Sequence, residues 1–364
     1  MKPWLHRLIA FALTVALAGC AMGPDYETPE STLPQDFSGP ASDGPSIAGL
    51  EWWTLFDDPR LIELIELALA NNLQLAVAMA RIEEARASLG FVRADQFPNQ
   101  NGQAGASRGN ALLGTPGTIS ESFTLASDLQ FELDLWGRLR STEKAALAGW
   151  EASKFDLQTA AMTLSAELAQ TYFRWLAQTE ALAIYESQLT SNRNILNAIE
   201  RRYHTGQSTS LALLQQRQQL AAAEARIPPV RALIKASEHA MAVLTGEVPG
   251  TDLGLVAEPL PELPPQPATG LPATVLEHRP DVQAARLQLE SADWNVSAAR
   301  AARLPSISLT GDIATSSENV DALFEDWVSN LAAGLLAPLL DGGLRKAEVD
   351  RTLAVSRERI AAYR

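Results

Sequence analysis

Apolar residues recur every seven positions over the part of the chain that follows Asp57-Asp58-Pro59. The positions in step are Leu61, Ala68, Leu75, Ile82 and Leu89. Acidic residues before a proline in the first turn are typical of a helix start, and a seven-residue step is typical of a helix that packs along a seam against other helices. The pattern predicts a helix that begins at Asp57 and ends near Phe97-Pro98.

The same pattern returns later in the chain at a shift of 207 residues. Val275, Val282, Leu289 and Val296 stand where this shift places Ala68, Leu75, Ile82 and Leu89. The shift also carries Pro98 onto Pro305 and Arg93-Ala94 onto Arg300-Ala301. Because one shift aligns the apolar positions, the terminating proline and a dipeptide, we infer an internal duplication. The second helix is expected to start at Arg279-Pro280-Asp281, with the proline in its first turn.

After each terminating proline the period changes from seven to two, which is typical of β-strands. Phe123, Leu125, Leu129 and Phe131 occupy alternate positions in the first copy. In the second copy Ile307 and Leu309 lead out, and Val328, Leu331 and Leu335 lead back. The pattern predicts one β-hairpin over 99–132 and another over 305–336, with loops at Arg108–Ser122 and Ser316–Trp327. Alternation alone also fits a pair of soluble hairpins, since the strands of membrane barrels give weak signals.

A long helix is predicted after the first hairpin. The chain has no proline between Gly137 and Pro228, and the seven-residue step continues through Leu168, Trp175, Leu182, Leu189, Leu196 and Tyr203. A helix over 138–204 would be about 100 Å long at 1.5 Å per residue, so it must lie against other helices of comparable length. Tyr172, Phe173 and Trp175 are interpreted as packing residues on this helix.

Gly206 is expected to cap the long helix, and Ser208 or Ser210 is expected to start a returning helix. Pro228-Pro229 should kink or interrupt the return, which completes a helical hairpin over 138–245. Glycine turns at Gly137 and at Gly342 and Gly343 follow the two β-hairpins. The first repeat therefore covers 57–248, a proline-rich connector covers 249–272, and the second repeat covers 273–364.

The N-terminus carries Lys2 and Arg7 around an apolar run that ends in Leu17-Ala18-Gly19-Cys20. The run is too short to span a bilayer, and residues 1–19 are interpreted as a signal peptide. The last four residues resemble the lipobox of bacterial lipoproteins, which implies a lipidated Cys20 and, with Ala21 following, sorting to the outer membrane. The alternative is an incidental cysteine after an ordinary secretory signal. Residues 20–56 are expected to form an extended tether.

Composition narrows the functional classes. A formal net charge of -14 disfavours binding to nucleic acid. One cysteine permits neither an intrachain disulfide nor a cysteine metal cluster, and the four histidines lie at no ligand-like spacing. No nucleophile elbow, phosphate loop or metal motif occurs, so we expect no enzyme, no metal and no cofactor beyond the lipid.

Several stretches resemble the outer-membrane factor family, the TolC-like exit ducts, and in particular their NodT-type lipoproteins. The matching residues are Leu17–Cys20, Gly23-Pro24-Asp25-Tyr26, Trp52-Trp53, Phe56-Asp57-Asp58-Pro59, Glu132–Arg140, Arg202-Tyr203, Gly206, Leu244–Gly246, Leu271-Pro272, Arg279-Pro280-Asp281 and Leu340–Arg345. The resemblance implies a mainly α fold with a small β part. It also implies a homotrimer that builds one 12-strand outer-membrane barrel and one periplasmic α-helical tunnel.

Such a protein would conduct substrates passively from an inner-membrane RND pump and a periplasmic adaptor. Four strands cannot close a barrel, so oligomerisation is also expected on physical grounds, whereas the number three comes from the resemblance. The family pattern includes a second long helical hairpin, of which this sequence holds only the start, up to Tyr363-Arg364. We expect either a fragment of a longer protein or a truncated product.

The resemblance implies that the turn Tyr203-His204-Thr205-Gly206-Gln207-Ser208 docks on the adaptor, although the same residues fit a plain capped turn. Asp128, Glu132 and Asp134 lie near the strand-to-helix junction, and they fit either carboxylates facing a lumen, where they favour cations, or solvated caps. The alternative function is a periplasmic adaptor or a structural coiled-coil lipoprotein without a barrel.

Overall fold

A computed structural model describes residues 51–110, 119–264 and 278–364. The signal peptide, Cys20 and most of the tether lie outside the described residues, as does part of the connector. The helices are α1 (Pro59–Asn71), α2 (Leu73–Ala94), α3 (Arg138–His204), α4 (Ser210–Leu244), α5 (Pro280–Ala301) and α6 (Leu344–Tyr363). The strands are β1 (Asn99–Asn110), β2 (Ile119–Leu133), β3 (Ser306–Ser317) and β4 (Val328–Leu336), and short 3-10 turns cover Trp52–Phe56 and Val320–Ala322.

These elements form two compact units. The strand unit contains residues 81–155 and 281–364 with the gap at 111–118, and so holds all four strands. The helical unit contains residues 51–80 and 156–280 with the gap at 265–277. Among the described helices, no single one combines the length and apolar character needed to cross a bilayer, and the bent pair α1 and α2 meets that test by length and composition only.

The duplication inferred from sequence is visible in the strand unit. β1 and β3 begin at Asn99 and Ser306 and end at Asn110 and Ser317, which is the same shift of 207 residues at both ends. Helices α2 and α5 end at the equivalent positions Ala94 and Ala301. The observed hairpins agree with the predicted bounds to within one residue, but both loops are shorter than predicted, because β1 continues to Asn110, β2 begins at Ile119 and β3 continues to Ser317.

The four strands form one antiparallel sheet in the order β1-β2-β3-β4. The central pairing joins the two copies, with Phe123 opposite Ser317 at one end and Leu133 opposite Ile307 at the other. β1 and β4 are the edges of this sheet. Within the described residues neither edge pairs with a further strand, and such edges require either a cover or a partner strand.

The first helix does not run unbroken to Phe97, so the prediction of one helix from Asp57 is wrong in this respect. Its start is as predicted, because the Asp58 carboxylate accepts hydrogen bonds from the N–H groups of Arg60 and Leu61 at 3.0 Å each. The break comes at Asn72, whose side-chain oxygen accepts from the N–H of Gln74 at 2.8 Å and begins α2. Asparagine favours such caps over helix interiors, and the two helix axes differ by 41°.

The long helical hairpin agrees with its prediction in length and differs in two details. Helix α3 has 67 residues and spans Arg138–His204. The returning helix α4 begins at Ser210, one of its two predicted starts, but its N-cap is Thr209, whose hydroxyl accepts from the N–H of Ala212 at 3.2 Å. Of the kink or interruption predicted at Pro228-Pro229, the interruption is wrong, since α4 continues through both prolines. Burial of Ile227 and Ile234 on either side stabilises the helix against the lost N–H donors.

The helical unit has a conventional apolar core. Its fully buried members include Leu61, Leu64, Ile65, Leu168 and Met241. The prediction that Tyr172, Phe173 and Trp175 are packing residues is confirmed, because Tyr172 and Trp175 belong to the core and Phe173 packs against it. Burial, together with a hydrogen bond to the Asp58 carboxylate, raises the pKa of Tyr172 and keeps its hydroxyl protonated as a donor.

Candidate functional site

The strand sheet has one apolar and one polar face, and the strand register assigns each side chain to one of them. Directly opposite residues of paired strands point to the same face, and successive residues alternate. The apolar face carries Phe123, Leu125, Leu129, Phe131, Leu133, Ile307, Leu309, Ile313, Leu331 and Leu335. The polar face carries Asn101, Gln103, Ser107, Thr124, Asp128, Gln130, Ser308, Thr310, Asp312 and Asn330. This division is typical of a membrane barrel with lipid outside and water inside.

A row of four polar residues crosses the polar face from edge to edge. Asn101 is opposite Asp128, Asp128 is opposite Asp312, and Asp312 is opposite Asn330. The Asn101 amide donates to the Asp128 carboxylate at 3.1 Å, and the Asn330 amide donates to the Asp312 carboxylate at 2.9 Å. The two carboxylates therefore lie side by side at the centre of the sheet, each with an asparagine on its outer side. We name these four residues the carboxylate row.

The structure separates three acids that the sequence left ambiguous. Asp134 is a helix cap, because its carboxylate accepts from the N–H groups of Leu139 at 3.1 Å and Arg140 at 3.0 Å at the start of α3. Glu132 forms a bidentate pair with the Arg138 guanidinium at 2.7 and 3.2 Å. Asp128 alone of the three belongs to the carboxylate row.

The two strand-to-helix junctions are built on similar turns. Gly137 has a φ of 75°, and Gly342 and Gly343 have φ of 64° and 89°, so all three are in the left-handed region. In the second junction the Asp341 carboxylate accepts from the N–H groups of Gly343 at 3.0 Å and Arg345 at 3.3 Å. These backbone bonds, followed by the Arg345 side chain, lower the pKa of Asp341. The Trp136 indole donates to the Pro305 carbonyl at 2.7 Å and joins the two copies at this level.

The turn between α3 and α4 ends the long hairpin at an exposed tip. Gly206 has a φ of 72°, and the N–H of Gln207 donates to the Arg202 carbonyl at 2.8 Å. With the 3.0 Å bond from the N–H of Gly206 to the Tyr203 carbonyl, this is the Schellman pattern of helix termination. Tyr203, His204, Thr205, Gly206 and Gln207 are exposed, and Ser208 is half-buried. Arg201, Arg202 and His204 make the end of α3 basic.

Ion pairs link the two helices of the hairpin along its length. Arg231 pairs with Glu186 at 2.7 Å, Arg193 with Glu224 at 3.1 Å, and Arg217 with Glu200 at 2.9 Å. Exposed pairs of this kind contribute roughly 0.2–1 kcal/mol each, so they align the helices more than they hold them together.

Sequence reasoning missed Asn101, Asp312 and Asn330. Alternation could have placed each on the polar side of its own strand. Their alignment with Asp128 depends on how β2 pairs with β3, and these two strands belong to different repeats. No tight turn connects β2 to β3, so no turn fixes the register of that pairing. Within the described part of the chain, no group of three or more His, Cys, Asp or Glu residues is placed to hold a metal ion.

Comparison with known proteins supports the same interpretation. The family model described as "Outer membrane efflux protein" matches residues 64–247 and 271–364. The chain is 32% identical over 370 residues to the pyoverdine export outer membrane protein OpmQ of Pseudomonas putida, covering 99% of this chain and 78% of that one. It is 30% identical over 357 residues to the cation efflux system protein CusC of Escherichia coli, covering 94% of this chain and 76% of that one.

Solved structures show the same fold. The outer-membrane channel OprN superimposes with a TM-score of 0.85 at 29% identity, covering 94% of this chain and 79% of that one. The open state of the Neisseria gonorrhoeae MtrE outer membrane channel superimposes with a TM-score of 0.82 at 29% identity, covering 94% and 78%. The alternative of an adaptor or coiled-coil protein without a barrel finds no support among these relatives. The chain therefore belongs to the outer membrane efflux protein family, with the TolC-like fold, and acts as an outer-membrane channel of a tripartite efflux system.

Proposed function

We propose that three copies of this chain close one 12-strand barrel and conduct small compounds passively across the outer membrane. The observation that carries this proposal is the two-faced sheet of four strands with both edges unpaired. About eight strands are the fewest that close a membrane barrel, so one copy cannot do so alone. An antiparallel contact between β4 of one copy and β1 of the next would pair both edges.

The proposal is tested by the oligomeric state and heat-dependent gel mobility of the purified protein in detergent. Unheated samples should migrate on denaturing gels as a compact species that shifts on boiling, and native mass spectrometry should give three chains. A monomer of unchanged mobility would contradict the barrel.

We further propose that Cys20 carries lipid and anchors the mature chain. The support is the lipobox-like Leu17-Ala18-Gly19-Cys20. Buried acyl chains contribute about 0.8 kcal/mol per methylene, so two or more chains bind a membrane firmly. Mass spectrometry should find acyl chains on Cys20 at the mature terminus, and Cys20→Ser should accumulate as an unlipidated precursor. An unmodified Cys20 in the mature protein would contradict the proposal.

The tip at Tyr203–Ser208 is proposed to contact the periplasmic adaptor, which in turn joins an inner-membrane RND pump. Its exposure, its basic helix end and its position at the far end of α3 support this assignment. The names of the relatives refer to the export of pyoverdine and to the efflux of cations and of toluene, which are chemically different compounds. We propose that the pump and not the duct makes the main selection of substrate.

A further inference from the structure

We propose that Asp128 and Asp312 set the ionic preference of the exit barrel, so that it passes cations and neutral compounds more readily than anions. This inference rests on the proposed function, because it requires the polar face of the sheet to line a closed barrel. It assigns a role to two residues of the carboxylate row, and it concerns the flux of ions and not a bound ligand.

The first argument is the charge on the polar face. Among the described strand residues, Arg108 is the only arginine or lysine, and it lies on the other face, paired with Glu121 at 3.3 Å. Glu132 shares the polar face, but its charge is offset by Arg138 at the junction. The charge that remains toward the proposed lumen is therefore negative, and Asp128 and Asp312 carry it.

The second argument is that the pair works against the stability of the sheet. Like charges directly opposite each other on paired strands destabilise a sheet, and an amide at either position would preserve the hydrogen-bonding capacity. Each carboxylate accepts one asparagine amide from its outer side, which does not remove the repulsion between the two. Neither residue caps a helix or belongs to the apolar core. Strand packing thus gives no reason for two carboxylates at these positions.

The third argument is geometric. Threefold symmetry repeats the pair at one depth and gives a set of six carboxylates around the bore. Twelve strands spaced about 4.8 Å apart and tilted by about 40° close a cylinder with a backbone radius of roughly 12 Å. The Debye length is about 10 Å at 0.1 M salt and about 3 Å at 1 M. Side chains narrow the bore further, so at low salt the negative potential of the six carboxylates reaches its centre.

The carboxylate row lies at a depth in the proposed barrel where it can select between permeating ions. Asp128 lies five residues before the end of β2, and Asp312 lies six residues after the start of β3. At about 3.3 Å per residue both are roughly 15–20 Å from the helical end of the sheet, well inside the bilayer span. Rings of acidic side chains are a general means by which pores favour cations.

The test is the reversal potential of the purified full chain in planar bilayers under an about tenfold KCl gradient, first near 0.1 M and then near 1 M. The wild-type protein should prefer potassium at low salt and lose much of that preference at high salt. Asp128→Asn and Asp312→Asn should each reduce the reversal potential, and the double variant should move it at least halfway to zero. Glu121→Gln is the matched control, since it neutralises an acid on the opposite face and should leave the potential unchanged.

A second measurement excludes a structural role. Because the substitutions relieve like-charge repulsion, the double variant should unfold at the same temperature as the wild type or higher. A wild-type reversal potential retained by the double variant would overturn the inference, as would a loss of selectivity that Glu121→Gln reproduces. Failure of the wild-type protein to form any conducting channel would instead overturn the proposed function, and the inference with it.

Discussion

In the helical unit, polar side chains begin, end or join helices, whereas on the polar face of the strand unit the carboxylate row does none of these. Asp58 and Asn72 each cap a helix, and Glu186 pairs with Arg231 and aligns α4 with α3. Asp128 and Asp312 stand side by side in the middle of the sheet, where their like charges work against strand pairing. In this molecule, polar residues that neither cap nor join secondary-structure elements therefore indicate function better than polar residues that do.

The apolar side chains of the two units also differ in what covers them. In the helical unit the core is buried within the chain, and Leu168 is 0% exposed. On the sheet, Leu331 is 83% exposed in the single chain and would face lipid. Lipid tails are as apolar as leucine, so these side chains gain little from folding after insertion.

The largest expected effect is therefore a loss of core packing in the helical unit. Leu168→Ala should lower the free energy of unfolding by about 2–5 kcal/mol, because it removes a transfer term and leaves a cavity. Leu331→Ala is the matched control and should cost less than about 1 kcal/mol, because lipid or detergent fills the space. Thermal unfolding of both variants in detergent measures the difference. Equal losses would show that the two units do not differ in this way.

The same contrast applies to asparagines. Asn72 is buried, caps α2 and donates to the Leu244 carbonyl at 2.8 Å. Asn72→Ala should lower the free energy of unfolding by about 1–2 kcal/mol, since it removes the cap of α2 and the donor to the half-buried Leu244 carbonyl. Asn330→Ala removes only an exposed bond to Asp312 and should change stability by less than about 0.5 kcal/mol. A larger loss for Asn330→Ala would indicate that the carboxylate row stabilises the sheet after all.

A third variant addresses the tip of the hairpin. A Cβ on Gly206 would meet nothing within 4 Å, so a substitution there is strained only through its φ of 72°. Gly206→Val should destabilise the turn by about 1–2 kcal/mol, whereas Gly206→Asn should cost less, because asparagine tolerates the left-handed region. In cells, Gly206→Val should impair export and crosslinking to the adaptor while barrel assembly persists. Normal crosslinking in this variant would contradict the docking role.

Sequence predicted most of the architecture, because local signals determine it. Heptads and the absence of proline predicted α3, Pro59 and Pro280 marked helix starts, and one shift of 207 residues relates β1 to β3. Two of the failures are informative. Asn72 breaks a helix in which the heptad continues unchanged, since Ala68 and Leu75 are buried on both sides of the break. The carboxylate row depends on pairing between repeats, which is non-local and invisible to periodicity.

The smallest expected effect is a pH dependence at the start of α3. The amide of Gln96 at 2.7 Å, and then the guanidinium of Arg93 at 2.6 Å, hold the pKa of Glu143 below its usual value. A lowered pKa in the folded state means that Glu143 stabilises the fold above its unfolded pKa, and this stabilisation is lost as the pH falls through the folded pKa.

Because Arg93 is half-exposed, the contribution should be below about 1 kcal/mol. The wild-type protein should therefore lose slightly more stability than Glu143→Gln between about pH 6 and pH 3, while the two differ by a constant amount above that range. Thermal unfolding across this pH series measures the difference. Arg351→Gln is a suitable comparison. It removes an exposed ion pair with Glu348 on α6, and this ion pair also lowers the pKa of Glu348. If Glu143→Gln follows the wild type at every pH, the bonds from Gln96 and Arg93 contribute nothing measurable to the stability of the folded chain.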